Sequence, residues 1–105
     1  MRYSKKLELL NNYIELGRIL LKCKSILILH INIDAKALEN TCKLAIKLQN
    51  DCLEKIKQCG MYDDAFEILK KDIDTAIQSN IYTHNLSHNT LEQMNNTLSR
   101  LQGSI

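Results

Sequence analysis

Proline and tryptophan are absent from the sequence, and its 105 residues include only three glycines and one phenylalanine. Sheet proteins use frequent glycine and proline turns, so this composition disfavours a β fold and favours a few long helices joined by short connections. A chain with 45% hydrophobic residues and a net charge of +2 is also too apolar and too weakly charged to be disordered. We expect one helical domain that extends over residues 1–105.

Long uncharged apolar stretches are missing as well. The most apolar one, residues 19–33, contains two lysines, a histidine and an asparagine, and it is shorter than the roughly 20 residues that a membrane span requires. Polar residues also interrupt the stretch after the basic N-terminus, where a secretory signal peptide would have its apolar segment. These features predict a protein that acts in the cytoplasm, without a membrane segment.

The first helix is predicted from about Ser4 to Leu29. Its apolar residues recur at alternating steps of three and four with one skip, which places them on one helical face: Leu7, Leu10, Ile14, Gly17, Leu21 and Ile28. The end of this helix is ambiguous, because apolar residues alternate at period two over residues 25–34, as they would in a strand. A single strand would have no partner in this chain, so we expect the helix to continue and to stop near Asn32.

The second helix is predicted between Asp34, a favoured N-cap residue, and Gly60, which suits the left-handed position that follows a helix. Its inner face alternates strictly between steps of four and three: Leu38, Cys42, Ala45, Gln49, Cys52, Ile56 and Cys59. Buried free cysteines behave as small apolar side chains. We therefore expect Cys42, Cys52 and Cys59 to be reduced and buried, with a disulfide that involves Cys23 as the alternative.

Two shorter helices complete the predicted fold. The third begins at Asp63 or Asp64, both of which are suitable cap residues, and ends at Ser79 or Asn80. The fourth begins after the cap residue Asn89 and stops at Gly103. Four amphipathic helices with short loops predict an all-α fold, a compact antiparallel helical bundle without a sheet.

Metal and catalytic sites are not predicted. Cys52 and Cys59 are separated by about 10 Å along a helix that rises about 1.5 Å per residue, whereas zinc binds its thiolates at about 2.3 Å. His84 and His88 have the spacing of a helical metal-binding pair, but they fall in a polar segment that we expect to be a loop. Nucleophile elbows, phosphate loops and glycine-rich cradles are missing from the sequence. We predict no cofactor, no bound metal and no enzyme activity.

Charge is distributed unevenly along the chain. Residues 1–24 have six basic and two acidic groups, whereas residues 63–77 have five acidic and two basic groups. Helices of opposite charge can attract each other within the bundle. A nucleic-acid regulator is the alternative, and it would use as phosphate contacts the basic face Arg2, Lys5, Lys6, Arg18 and Lys22. The pI of 8.3 is below the value of about 9 that is usual for nucleic-acid-binding domains, so this alternative ranks second.

The last helix is the predicted binding surface. Leu91, Met94, Leu98 and Leu101 form a narrow apolar seam beside mostly uncharged polar residues, and an amphipathic helix of this kind can dock on a partner. Core packing is the other interpretation of the same residues, and a homodimer through this helix would satisfy both. We expect a non-catalytic protein-binding module, in the class of small adaptors, secretion chaperones, immunity or antitoxin proteins and phage or virulence inhibitors. Its partner would be another protein or a second copy of the chain.

Overall fold

Four α-helices make up the fold. The computed structural model describes residues 3–29, 33–79 and 90–105, in which α1 is Tyr3–Ile28, α2 is Ala35–Gln58, α3 is Asp64–Ser79 and α4 is Thr90–Ser104. No strand occurs among these residues, so the prediction of an all-α helical bundle is confirmed. Within the same part of the chain, no helix combines the length and the apolar character that crossing a membrane requires.

The helix α1 is the centre of the fold, because it lies against each of the other three helices. Its deeply buried apolar residues are Leu9, Tyr13, Leu16, Ile19, Cys23 and Ile26. They belong to a different face from the predicted stripe, of which only Gly17 is buried. The other stripe residues are half-buried or exposed: Leu7, Leu10, Ile14, Leu21 and Ile28. The helix therefore turns toward the core a different face from the one that the regular spacing marks.

The C-terminal part of α1 shows that the first part of residues 25–34, which could have been helix or strand, is helical. Residues 25–28 are helical, and the Ser25 hydroxyl donates a hydrogen bond to the Leu21 carbonyl oxygen, one turn back, at 2.9 Å. The helix ends at Ile28, earlier than the expected Asn32, and Leu29 forms a turn. The end that we predicted lies among residues 30–32, outside the described residues.

Both predicted ends of α2 are confirmed. The Asp34 carboxylate accepts hydrogen bonds from the backbone amides of Lys36 at 2.9 Å and Ala37 at 3.3 Å, as an N-cap does. At the other end Cys59 is the C-cap, and Gly60 follows with a φ of 72°. Glycine adopts this left-handed conformation without the steric penalty that a Cβ atom would cause.

Replacing Asp34 with alanine should lower the free energy of unfolding by about 1 kcal/mol, because two amides of the first turn lose their acceptor. Asp51→Ala is the matched control. Asp51 is exposed and pairs with Lys47 at 3.0 Å, and ion pairs of this kind contribute about 0.3–0.5 kcal/mol. Urea denaturation followed by circular dichroism measures both variants. Equal effects at the two positions would contradict the capping role of Asp34.

The helix α3 is anchored by an aromatic cluster at its N-terminal end. Asp63 is its cap, because its Oδ1 atom accepts a hydrogen bond from the Phe66 amide at 2.9 Å. Phe66 is buried, and its ring centroid lies 5.3 Å from that of Tyr13 on α1 and 5.2 Å from that of Tyr62. Edge-on and tilted ring pairs at these distances are favourable. The cluster therefore fixes the start of α3 on α1. The helix ends at Ser79, as predicted.

The helix α4 packs against α1 and α2. The Thr41 hydroxyl on α2 is buried and donates a hydrogen bond to the Asn95 side-chain oxygen on α4 at 2.9 Å. The helix continues through Gly103 to Ser104, so the predicted stop at Gly103 is wrong. Gly103 does not have the positive φ that would end a helix there. The presence of a glycine in the sequence does not by itself determine its φ angle.

The contacts between elements define the topology. Leu9 on α1 meets Cys52 on α2, and Gly17 lies near Gln49, so these two helices run antiparallel. The helix α3 runs parallel to α1, because it starts beside the N-terminal half of α1 and its end meets Lys24, which donates a hydrogen bond to the Gln78 carbonyl oxygen. Among the described helices, α3 lies close to α1 alone. One side of α1 is therefore covered only by α3.

Candidate functional site

The four residues predicted as an interface on α4 are mostly part of the core. Met94 is 2% exposed, Leu98 and Leu101 are 0% exposed, and Leu91 is half-buried. Their seam fits against α1 and α2, where Leu16 and Leu48 are also buried. A partner cannot reach these side chains in the folded chain. The structure thus favours core packing, the other interpretation of this seam.

The basic residues of the first helix do not form one face. Arg2 lies outside the described residues. Lys5 pairs with an acidic neighbour one turn along α1 at 3.4 Å, and Lys6 lines a cleft on the α3 side. Arg18 and Lys22 line a cleft on the α4 side together with a glutamate. Because these cations lie on different sides of α1 and have acidic neighbours, they do not make the continuous track that binding to a phosphate backbone uses.

An open apolar surface lies where α1 meets α3. The two helices approach each other closely at Gly17, where a Cβ atom would come within 2.7 Å of the Ile73 Cγ2 atom. Beside this contact an open groove is lined by Ile14, Gly17, Arg18, Leu21, Ile73, Ala76 and Ile77. We call it the α1–α3 groove. All of its lining residues except Arg18 are apolar.

The apolar surface continues toward the N-terminal ends of both helices. A second cleft there includes Leu10 from α1 and Leu69 from α3. Leu7, one turn before Leu10, is 44% exposed. The regularly spaced apolar stripe of α1 thus forms one wall of a surface groove. Its periodicity was the signal for this wall, since the same spacing suits a helix that a partner covers.

The rim of the α1–α3 groove has opposite charges on its two sides. Arg18 lies on the α1 side, and Asp72 lies on α3, one turn from both Leu69 and Ala76. Neither Arg18 nor Asp72 has an ion-pair partner among the described residues. A segment that docks in the groove would therefore meet a positive charge along α1 and a negative charge along α3.

The size and chemistry of the groove favour a side chain over a metabolite as its occupant. Its volume of about 170 Å³ is below the roughly 300–1,000 Å³ that is typical of small-molecule sites. Within the described ranges no three potential ligands are grouped closely enough to hold a metal ion. His84 and His88 lie outside those ranges. The groove offers apolar contact and two rim charges, which is the chemistry of a protein interface.

The cysteines of α2 are buried to different degrees. All four thiols are free; Cys52 is fully buried, while Cys42 and Cys59 are half-buried. The expectation that all three α2 cysteines are buried is therefore wrong for two of them, which lie at the edge of the seam. Burial raises the pKa of the Cys52 thiol to about 11, and its sulfur donates a hydrogen bond to the Leu9 carbonyl oxygen at 3.2 Å.

Thiol labelling of the native protein should separate the four cysteines into two classes. Cys23 and Cys52 should react only after denaturation, because they are buried and a neutral buried thiol is a poor nucleophile. Cys42 and Cys59 should react in the native state. Alkylation with time-resolved peptide mass spectrometry measures each site. Native labelling of Cys52 as fast as that of Cys59 would contradict the packing of α2 on α1.

No protein-family model, curated protein or solved structure matches the chain.

Proposed function

We propose that the protein is a non-catalytic protein-binding module and that the α1–α3 groove receives an amphipathic helix of a partner protein. The observation that carries the proposal is the line of apolar side chains on α1, from Leu7 through Ile14 to Leu21, which α3 leaves partly open. These residues recur every seven positions. A helix that presents anchors at the i, i+3, i+4 and i+7 positions can bury them along such a line.

The apolar surface that the groove leaves in water would supply the binding energy, because burying apolar surface is favourable by about 25 cal/mol per Å². Leu7, which is 44% exposed, adds to the α1 side of this surface. A docked helix would remove this surface from water without any rearrangement of the α4 core.

The rim charges specify the chemistry of the partner helix. Its edge over α1 should have an acidic residue opposite Arg18, and its edge over α3 should have a basic residue opposite Asp72. Rim pairs of this kind add little affinity, but they fix orientation and discourage wrong partners. The apolar groove would therefore supply most of the binding energy, and the two charges would set the direction of the bound helix.

Several kinds of protein work through stoichiometric contact of this type, among them adaptors, secretion chaperones, immunity or antitoxin proteins and inhibitors. All of them need a shaped surface and none needs a catalytic group. We also propose that the protein acts in the cytoplasm, because its free cysteines contribute to packing and do not depend on an oxidising compartment.

Site-specific photo-crosslinking in the cell of origin tests the proposal. A photoreactive amino acid replaces Leu21 in the groove or, as the matched control, Ile46 on the exposed side of α2. We expect a discrete protein adduct from position 21 and none from position 46. Adding Ile14→Asp to the position-21 variant should abolish the adduct while circular dichroism shows an unchanged helical content.

Three results would overturn the proposal. The first is the same adduct pattern from positions 21 and 46, because the contact would then not involve the groove. The second is an adduct that nuclease digests, which would support the nucleic-acid alternative. The third is an adduct with twice the mass of the chain, which would show that the groove binds a second copy of the chain and not a different protein.

A further inference from the structure

The antiparallel register of α1 and α2 brings two cysteines opposite each other. Leu9 lies against Cys52, and Gly17 lies near Gln49 farther along the same pair of helices. Continued toward the C-terminal end of α1, this register places Cys23 opposite Cys42, and the two thiols lie close enough to interact directly. The other buried thiol of this helix pair, that of Cys52, bonds to a backbone oxygen instead.

We propose that Cys23 and Cys42 form a redox-active thiol pair, in which Cys42 reacts with peroxide and Cys23 converts the product to a disulfide. The two residues differ in accessibility, as such a pair requires. Cys42 is half-buried and can be reached from solvent, whereas Cys23 is only 2% exposed. This site is separate from the α1–α3 groove and does not depend on the function proposed for it.

The electrostatics of the two thiols support the same division of roles. The neighbouring Cys23 thiol lowers the pKa of the Cys42 thiol. The same interaction, together with burial, raises the pKa of the Cys23 thiol. The thiolate is the reactive form of cysteine. The negative charge therefore develops on the accessible sulfur, and the buried sulfur keeps its proton.

The reaction balances with hydrogen peroxide as the oxidant. The Cys42 thiolate attacks one peroxide oxygen, the O–O bond breaks, and hydroxide leaves and takes up a proton to become water. The Cys42 sulfenic acid that results is attacked by the Cys23 sulfur, which forms the S–S bond and releases a second water. Two thiols are oxidised to one disulfide by two electrons, and one peroxide is reduced to two waters. The new bond would covalently join α1 to α2.

The test treats the reduced, full-length protein with stoichiometric hydrogen peroxide and maps the products by mass spectrometry. We expect the intact mass to fall by the mass of two hydrogen atoms and a Cys23–Cys42 linked peptide to appear. Cys42 should be consumed on the order of tenfold faster than Cys59, because thiolate character and access govern oxidation. The oxidised protein should also melt several degrees higher, because the cross-link restricts the unfolded chain.

Variants distinguish the two roles. Cys23→Ala should accumulate a Cys42 sulfenic acid that dimedone traps, whereas Cys42→Ala should give no dimedone adduct on Cys23. Cys59→Ser is the control and should form the disulfide as the wild type does. The proposal is wrong if peroxide leaves all four wild-type thiols free, if Cys59 is oxidised before Cys42, or if the disulfides that form link two chains.

Discussion

Replacing Leu98 with aspartate is expected to leave the protein largely unfolded at neutral pH. Leu98 is 0% exposed and lies in the seam by which α4 joins the core. Removing a buried leucine side chain costs about 2–5 kcal/mol, and a buried carboxylate without a partner adds several kcal/mol more. A small domain has a total stability of only about 5–15 kcal/mol. The double replacement of Met94 and Leu98 by aspartate should unfold the chain completely.

Ile68→Asp is the matched control for this experiment, because Ile68 is an exposed apolar residue on α3. The same change of side chain there should leave the circular dichroism spectrum and the thermal midpoint almost unchanged. If Leu98→Asp keeps the helical content and the thermal midpoint of the wild type, Leu98 is not in the core. The seam on α4 would then be a surface, as the sequence suggested.

Gly17→Leu should detach α3 from α1 and lower the free energy of unfolding by at least about 1–3 kcal/mol, the usual penalty for overpacking. The Cβ atom alone would lie 2.7 Å from the Ile73 Cγ2 atom. That methyl group is on a β-branched carbon, whose χ1 angle has one strongly preferred value in a helix. The clash can therefore be relieved only if α3 moves. Amide hydrogen exchange should become faster throughout α3, and urea denaturation gives the loss of stability.

Gly103→Leu is the control, because it makes the same substitution at a helical glycine that has no close neighbour. Nothing lies within 4 Å of a Cβ atom at Gly103, so this variant should be as stable as the wild type or gain up to about 1 kcal/mol from helix propensity. Gly17→Leu with wild-type stability and unchanged exchange in α3 would contradict the close contact between α1 and α3.

Local signals predicted the ends of the helices well where one side chain determines the end. Asp34 caps α2 and Gly60 follows it in the left-handed conformation, because both effects depend on the backbone within one turn. Gly103 shows the limit of this reasoning. It occurs in a position that suits a helix stop, but α4 continues past it.

The core face of α1 could not be predicted, because this helix has apolar residues around most of its circumference. Two series with steps of three and four overlap in its sequence: one contains Leu9, Leu16 and Cys23, and the other contains Leu7, Ile14 and Leu21. Periodicity predicts a helix from either series and does not choose between them. The choice depends on tertiary packing, since α2 and α4 cover the first series and α3 covers only part of the second.

The α4 seam that was predicted as a binding surface is largely buried for a related reason. A narrow apolar seam indicates little burial when a helix is considered alone. In the fold, this seam fits against α1 and α2, so Met94, Leu98 and Leu101 are enclosed although the seam is a single line of side chains. To predict the groove, one has to know which helix α3 packs on. A single sequence without related sequences contains no direct signal for that contact.

The central claim is that the accessible apolar surface is on α1 and α3, while the apolar seam of α4 is in the core. Solvent paramagnetic relaxation of isotope-labelled leucine and isoleucine methyl groups, at a concentration at which the protein sediments as a monomer, tests it most directly. We predict strong relaxation for Leu7, Ile14 and Ile68 and weak relaxation for Leu98 and Leu101. Strong relaxation of Leu98 and Leu101 together with protection of Ile14 would contradict the account.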